Sequence, residues 1–251
     1  MTIDGNRGRS TAIEMRIIIT AGPTREHLDP VRFLSNPSTG KMGFAIAAEA
    51  ARRGHDVTLV AGPVALKTPD RVHRVDVTSA REMLQESLRS LRGLRGCGGA
   101  VFISTAAVAD WRPARCAAKK LKKGEMSGTL RLVRNPDILK TIAGLRRAHI
   151  PRAKRAPKEA LCGVRSRPTM AGVRLVGFAA ETNDVLKEAA RKCREKGLSF
   201  IVANDVTKKG SGFGTDTNQV TFVFPDGTRK PLPLMTKRMV AKRILDEVSR
   251  L

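Results

Sequence analysis

The chain is poor in aromatic residues. It has one tryptophan and no tyrosine, and aromatic residues make up 4% of its 251 positions. A short-chain nicotinamide-dependent reductase needs a tyrosine beside a lysine as its acid/base pair, so the sequence argues against that class. The scarcity of aromatic rings also removes the stacking platform on which single-stranded nucleic acids bind.

Long apolar runs and paired cysteines are also lacking. The longest apolar runs, such as 17–19 and 59–61, are far shorter than the roughly 20 residues of a membrane-spanning helix. We therefore expect no contact with a membrane. The four cysteines, at positions 97, 116, 162 and 193, form no Cys-x-x-Cys pair, which argues against zinc or dithiol chemistry. A reducing compartment fits this pattern, and we expect a cytoplasmic protein.

Acidic residues are scarce relative to basic ones. The chain has 47 Lys and Arg against 23 Asp and Glu, a formal net charge of +24. This charge attracts any polyanion, including nucleic acids and phosphorylated metabolites. One alternative is therefore a basic nucleic-acid-binding protein on a Rossmann-like scaffold, with the Arg- and Lys-rich stretch 146–167 as its anchor. We do not expect nucleic acid as the main ligand, because the aromatic platform is missing.

Strand-like and helix-like segments alternate along the chain. The first unit is a strand at 16–20, a helix at 41–53 that stops before Gly54, and a strand at 56–61. Further strands are predicted at 72–77, 99–104, 174–178 and 199–203, with helices at 79–91, 135–147, 183–196 and 237–248. Repeated β-α-β units predict a three-layer α/β/α, Rossmann-like fold with a mostly parallel sheet. Asp226-Gly227 between apolar runs at 220–224 and 230–234 predicts a C-terminal hairpin.

We predict one domain over residues 1–251. Residues 1–15 are expected to be a flexible leader, and 112–128, rich in Lys and Ala, a mobile loop between strands. The stretch 146–167 has many basic residues and several prolines, which indicates a solvated excursion from the core.

The first loop, 22–43, is long for a strand-to-helix connection, and ligands usually bind at such loops. Residues 36–40 lead into a helix N-terminus, where free amides and the hydroxyls of Ser38 and Thr39 could hold a phosphate beside Gly40. It is not a Walker A loop, since Ser35 stands in place of the first glycine. An ordinary N-cap explains the same residues equally well.

Other candidate residues follow the predicted strands. Asp110 comes soon after the strand 99–104, where a carboxylate can hold Mg²⁺ together with substrate phosphates, or can be a surface residue. The lysine run around Lys120 could close over a triphosphate, or could simply be solvated. Small residues such as Ala106 would let a ligand approach the backbone. Each signal is weak, but all are expected at one edge of the sheet.

Seven motifs in order resemble the phosphopantothenoylcysteine synthetase family, the ligase half of the bacterial bifunctional coenzyme A biosynthesis protein. The resemblance extends from residue 17 to residue 248. The motifs lie at 20–25, 35–43, 106–110, 120–123, 135–138, 177–182 and 203–206.

The resemblance implies a phosphopantothenate–cysteine ligase. In this family CTP, with Mg²⁺, activates the carboxylate of 4′-phosphopantothenate as an acyl-cytidylate, and the cysteine amine then displaces CMP. Asn36 matches the asparagine that handles the acyl intermediate, and Arg32 and Ala106 match further active-site residues. Lys120 is expected to act in catalysis as well as in nucleotide binding, and Asp110 to hold the metal. The positions that match the CTP-binding residues are Asp110, Lys120, Asn135, Pro136, Asp137, Ile138, Phe178, Lys192 and Lys196.

The resemblance also implies partners. The family is dimeric, with the site close to the subunit interface, so a homodimer is expected. The flavin-binding decarboxylase that often precedes this domain is not expected within this chain, which is therefore predicted to hold no flavin; a separate phosphopantothenoylcysteine decarboxylase is a possible partner. Whether the chain is a stand-alone ligase or part of a longer protein is open at this point.

Overall fold

A central sheet with helices on both faces organises the molecule. The structure, a computed structural model, describes residues 15–92, 99–122, 124, 128–148, 172–181, 183–208 and 210–251. The strands in these ranges are β1 (Arg16–Ala21), β2 (Arg25–His27), β3 (Phe33–Ser35), β4 (Asp56–Ala61), β5 (Val72–Asp76), β6 (Ala100–Ser104), β7 (Trp111–Pro113), β8 (Leu132–Arg134), β9 (Val173–Glu181), β10 (Phe200–Asp205), β11 (Thr217–Asn218), β12 (Val220–Val223), β13 (Arg229–Pro231) and β14 (Met235–Thr236). The helices are α1 (Lys41–Arg52), α2 (Ala80–Arg92), α3 (Ile138–Ala148), α4 (Val185–Glu195) and α5 (Lys237–Val248).

Within the described residues, the main sheet has eight strands in the order β13-β12-β10-β9-β6-β1-β4-β5. The six strands from β10 to β5 are parallel, and β12 and β13 are antiparallel to their neighbours. The strands β13 and β5 form the two edges. The order and directions of the eight strands confirm the predicted fold class, a mostly parallel sheet with a C-terminal hairpin.

The apolar residues explain the three layers. Three consecutive residues of β1, Ile17, Ile18 and Ile19, are fully buried, as expected for a parallel strand covered on both faces. Ile17 and Ile19 pack in the cluster that includes α1 and α5, whereas Ile18 packs in the cluster that includes α2, α3 and α4. Burial of each such side chain contributes about 1.5–3 kcal/mol. None of the helices in the described part of the chain has the length and apolar character needed to cross a bilayer.

The C-terminal hairpin forms at the predicted turn. The backbone amide of Thr228 donates to Asp226 Oδ1 at 2.9 Å, and Gly227 has a positive φ of 90°. The second strand ends at Pro231, short of the predicted 234, and the amide of Leu232 donates a last hydrogen bond at 2.9 Å to the carbonyl of Val220, the first residue of β12.

Local differences from the sequence predictions occur near the strand ends. Strand β9 continues three residues past the predicted end, to Glu181, because its residues 176–181 pair with all six residues of β10. Helix α3 begins at Ile138 rather than at 135. Three small ribbons, β2–β3, β7–β8 and β11–β14, were not predicted. Strand β7 includes the first two residues of the predicted loop 112–128, and α3 includes the first three of the predicted excursion 146–167. Residues 1–14 of the predicted leader and 149–167 of the excursion lie outside the described residues.

A buried carboxylate ties α1 to its neighbour. Glu49 is 6% exposed and accepts hydrogen bonds from Arg52 at 2.8 Å and from Arg53 at 2.9 Å. Arg53 also donates to Asp246 of α5 at 2.8 Å. The hydrogen bond from Arg52, together with that from Arg53, outweighs the effect of burial and lowers the pKa of Glu49 to about 2.

We expect Glu49→Gln to lower the free energy of unfolding at pH 7 by about 1.5–3 kcal/mol, the usual contribution of hydrogen bonds to a charged group. The folded-state pKa is below the ordinary value of 4.5, so the carboxylate stabilises the fold above that pH. This contribution is lost as the pH falls from about 4.5 to about 2. Urea unfolding at several pH values measures it. A difference between wild type and variant that stays constant down to pH 2.5 would contradict the assignment. Glu195→Gln, at an exposed ion pair with Arg191, is the control with little expected change.

Candidate functional site

Two adjoining cavities lie at the carboxyl ends of β1, β6, β9 and β10. The larger has a volume of about 430 Å³, within the range usual for small-molecule sites. The smaller lies at the N-terminus of α1. Thr105, Phe178, Ala180 and Phe213 line both. Among the residues predicted for the site, those that line the larger cavity are Asn36, Ala106, Asp110, Asn135, Pro136, Asp137, Ile138, Phe178 and Lys196.

The backbone after β6 and the start of α3 form one wall. The amide of Asn135 donates to the carbonyl of Asp110 at 2.8 Å, and its side chain donates to the carbonyl of Ala109 at 2.8 Å. Arg112 donates to Asn135 Oδ1 at 3.0 Å. These bonds fix the backbone on both sides of the exposed Asp110 carboxylate, which lines the cavity.

A lysine is held at the same cavity by an ion pair. Lys196 Nζ lies 2.7 Å from Asp137 Oδ2, and the backbone amide of Lys140 donates to Asp137 Oδ1 at 2.9 Å. Burial alone would raise the pKa of Asp137, but the hydrogen bonds from Lys196 and Lys140 outweigh it and lower the pKa. Asp137 is therefore an anion at neutral pH, and Lys196 is positioned to attract phosphate. Lys192, one turn earlier, pairs with Glu181 and does not line either cavity.

The N-terminus of α1 opens into the smaller cavity. Its N-cap residue is Gly40, with φ of 77° and no side-chain capping bond. Residues 38–43 line the cavity, with Ser38 Oγ accepting from the Gly40 amide at 3.4 Å. The first amides of a helix have no partner within the helix and attract anions. The N-terminus of α1 therefore has no side-chain cap, and the predicted phosphate contact of Ser38 and Gly40 stays a prediction.

Asn36 lies between the two strand-end loops. Its Nδ2 donates to the carbonyls of Ala107 at 3.1 Å and Val108 at 3.2 Å. Both partners are acceptors, so the amide orientation is determined. If Asn36 donated a hydrogen bond to the acyl intermediate, one of these two bonds would have to be released, whereas its Oδ1 can accept a hydrogen bond from a reactant.

Two predicted catalytic residues lie outside both cavities. Arg32 donates to Asp29 and to the carbonyl of Leu121, and Lys120 is exposed next to Leu121. Their catalytic roles, and the nucleotide contact of Lys192, stay predictions.

Comparison with known proteins identifies the family. The model described as the DNA/pantothenate metabolism flavoprotein C-terminal domain matches residues 12–151 and 160–251. The chain belongs to this family. It is 45% identical over 237 residues to the coenzyme A biosynthesis bifunctional protein CoaBC of Escherichia coli strain K12, covering 93% of this chain and 51% of that protein. The protein of the same name from Bacillus subtilis strain 168 is 41% identical, covering 94% and 51%. The chain thus spans about half the length of these curated relatives.

Solved structures agree with this assignment. The crystal structure of the C-terminal domain of CoaBC has 38% identity and a TM-score of 0.70, covering 96% of this chain and 97% of that one. A Cab2 mutant in complex with phosphopantothenate-cysteine, at 18% identity and a TM-score of 0.63, shares the fold. The resemblance inferred from the sequence motifs is therefore confirmed.

Phe213 and Lys237 line the smaller cavity but were not predicted from the sequence. Lys237, the first residue of α5, is buried and donates to the carbonyls of Gly212 at 2.9 Å and Thr215 at 2.5 Å. Thr39 donates to the carbonyl of Phe213 at 2.7 Å. The alternation of glycines at 210, 212 and 214 was a usable signal for a ligand loop. Lys237 gave none, because a lysine at a helix start usually faces solvent.

Gly43 allows α1 to approach the sheet. A Cβ at this position would lie 2.5 Å from Ala21 Cβ and 2.5 Å from Thr105 Oγ1, so any side chain would displace the helix start. We expect Gly43→Ala to weaken the binding of a phosphate anion at least about tenfold, since the helix amides would shift from the anion position. Calorimetry measures the affinity. Gly144→Ala, in α3 where a Cβ meets no atom within 4 Å, is the matched control. Unchanged affinity in Gly43→Ala would contradict the anion site.

Proposed function

We propose that this chain is a phosphopantothenate–cysteine ligase that acts in coenzyme A biosynthesis. The observation that carries the proposal is the pair of adjoining cavities, one at an open helix N-terminus and one lined by Asp110 and Lys196, in a chain of this family. The first suits the phosphate of phosphopantothenate and the second a nucleotide. The family relatives named for coenzyme A biosynthesis support this substrate class.

The proposed reaction has two steps. A carboxylate oxygen of 4′-phosphopantothenate attacks the α-phosphorus of CTP, and the bond to pyrophosphate breaks. The cysteine amine then attacks the acyl carbon, CMP leaves with the bonding electrons, and the amine loses a proton. Asn36, between the cavities, orients the acyl group, and the shared wall residues bring the two substrates together.

The protein's own cations would hold the nucleotide. Lys196 lines the cavity, and Lys120 and Lys192 lie outside its lining as proposed contacts. Asp110 would hold Mg²⁺, which supplies charge neutralisation on the phosphates when bound. In the described residues no cluster of three metal-ligating side chains occurs, which fits an ion held mainly by nucleotide phosphates and water.

We further propose that CTP is the nucleotide, that the protein is cytoplasmic and that the ligase reaction uses no flavin. A phosphopantothenoylcysteine decarboxylase would then consume the product. The bifunctional name of the relatives supports the last point. The alternative of a nucleic-acid-binding protein is not supported by the comparisons.

The two steps should separate in two variants. We expect Asn36→Ala to lower amide formation about a hundredfold to a thousandfold, as loss of a group that stabilises a reacting centre typically does, while CTP affinity stays near wild type. Asp110→Asn should instead weaken Mg²⁺-CTP binding, because a carboxylate ligand is lost. Calorimetry with CTP and quantification of phosphopantothenoylcysteine by mass spectrometry measure the two effects. Amide formation within about threefold of wild type in Asn36→Ala would refute its role, and failure of wild type to form the product would refute the function.

A surface beside the site is suited to a second copy of the chain. The ribbons β2–β3 and β7–β8 lie side by side. We define their exposed apolar residues as the ribbon patch: Val31, Phe33, Trp111, Leu130 and Leu132. Each is between 39% and 56% exposed. Large exposed apolar residues grouped on neighbouring ribbons often mark an interaction site, and we propose that the ribbon patch forms the homodimer interface.

We expect the double substitution Trp111→Ser and Leu132→Ser to convert a dimer into a monomer, because it removes two large apolar side chains from the patch centre. Light scattering coupled to size exclusion measures the mass. Met239→Ser, which replaces an exposed apolar residue of α5 away from the patch, is the control. A wild-type monomer, or a dimer that survives the double substitution at low micromolar concentration, would contradict the interface.

A further inference from the structure

Asp29 lies in the turn between β2 and β3 and is fully buried, although the ribbon itself is at the surface. A buried carboxylate is unfavourable unless its oxygens are well paired. Burial alone would raise the pKa of Asp29, but hydrogen bonds from Arg32, Val31 and Leu121 lower it well below its ordinary value. The group is therefore an anion throughout the neutral range.

The two oxygens of Asp29 have different partners. Oδ1 accepts from the backbone amides of Val31 at 2.9 Å and Arg32 at 2.8 Å, which closes the local turn. Oδ2 accepts from the guanidinium of Arg32 at 2.5 Å and 3.0 Å, and from the amide of Leu121 at 3.2 Å. The turn needs only Oδ1. The second oxygen serves a contact with a segment 92 residues away.

That segment is attached at two points, both through its backbone. Arg32 Nη2 donates to the carbonyl of Leu121 at 2.9 Å, so the Asp29–Arg32 pair contacts both polar groups of this peptide. The amide of Ala117 donates to the carbonyl of Leu28 at 2.8 Å. Lys120 lies between the two attachments, next to Leu121.

We propose that Asp29 is a positioning residue that, through Arg32, holds segment 117–121 on the β2–β3 ribbon and so sets where Lys120 stands. The inference rests on the proposed function, in which Lys120 contacts the triphosphate. It also gives Arg32 a role within its own chain, as the bridge between the carboxylate and the lysine segment.

Asp29→Asn tests the proposal because an amide can keep Oδ1 for the turn while its NH₂ faces the Arg32 and Leu121 donors. We expect hydrogen exchange of the Leu121 amide to accelerate at least about tenfold, with the amides of β1 unchanged. Asp56→Asn, which breaks an exposed Asp–Arg pair at the opposite end of the sheet, is the matched control with no change. Unchanged exchange at Leu121 in Asp29→Asn would overturn the proposal.

The reaction supplies a second measurement. We expect Asp29→Asn to lower kcat about tenfold, and Asp29→Asn combined with Lys120→Ala to be within about threefold of Lys120→Ala alone, since both changes disable the same lysine. Losses that multiply would show that Asp29 acts independently of Lys120 and would overturn the proposal, as would normal turnover by Lys120→Ala.

Two further outcomes are distinguishable. If Asp29→Asn does not fold, Ala117→Pro removes the other attachment, and the same acceleration at Leu121 and loss of kcat are expected. If wild type shows no CTP-dependent product, the proposed function fails, and the exchange measurement alone decides whether Asp29 holds the segment.

Discussion

The start of α1 lies directly against the carboxyl ends of β1 and β6, and this contact brings the two cavities together. At Gly43 the helix and the sheet are too close for a methyl group, and a Cβ at Gly62 would lie only 1.7 Å from the carbonyl oxygen of Pro23. This approach brings the first helix amides next to the residues that follow β6. As a result, the cavity at the helix N-terminus and the larger cavity share a wall instead of lying at separate strand ends.

Several acidic side chains are paired with nearby basic side chains, and the chain has a large surplus of basic residues. Glu49 and Asp29, both buried, accept hydrogen bonds from arginine side chains, and the exposed Asp137 pairs with Lys196. Many of the 23 acidic residues are thus neutralised by local partners, whereas the 47 basic residues leave a large surplus. This surplus produces a positive field that attracts anions to the protein. The ion pair with Asp137 holds Lys196 at the larger cavity.

The strand and helix order was predictable because continuous apolar runs and glycine stops are local signals, and the C-terminal helix was predicted with its observed bounds. The residues that follow the strands were also predictable as site candidates, because carboxyl ends of parallel strands converge. The small ribbons were not, since β2 and β3 have three residues each and their pairing depends on the buried Asp29 and Glu26 contacts. Lys237 was missed for the same reason: its carbonyl partners come from a loop about 22 to 25 residues away.

The two edges of the main sheet differ from its interior. At one edge, β13 consists of Arg229, Lys230 and Pro231, all exposed. Proline offers no amide to an incoming strand, and two adjacent cations repel a copy of themselves. The other edge strand, β5, carries His73 and Arg74 at its centre. Growth of the sheet by strand addition is thereby disfavoured, which lowers the tendency of this wide parallel sheet to form fibrous aggregates.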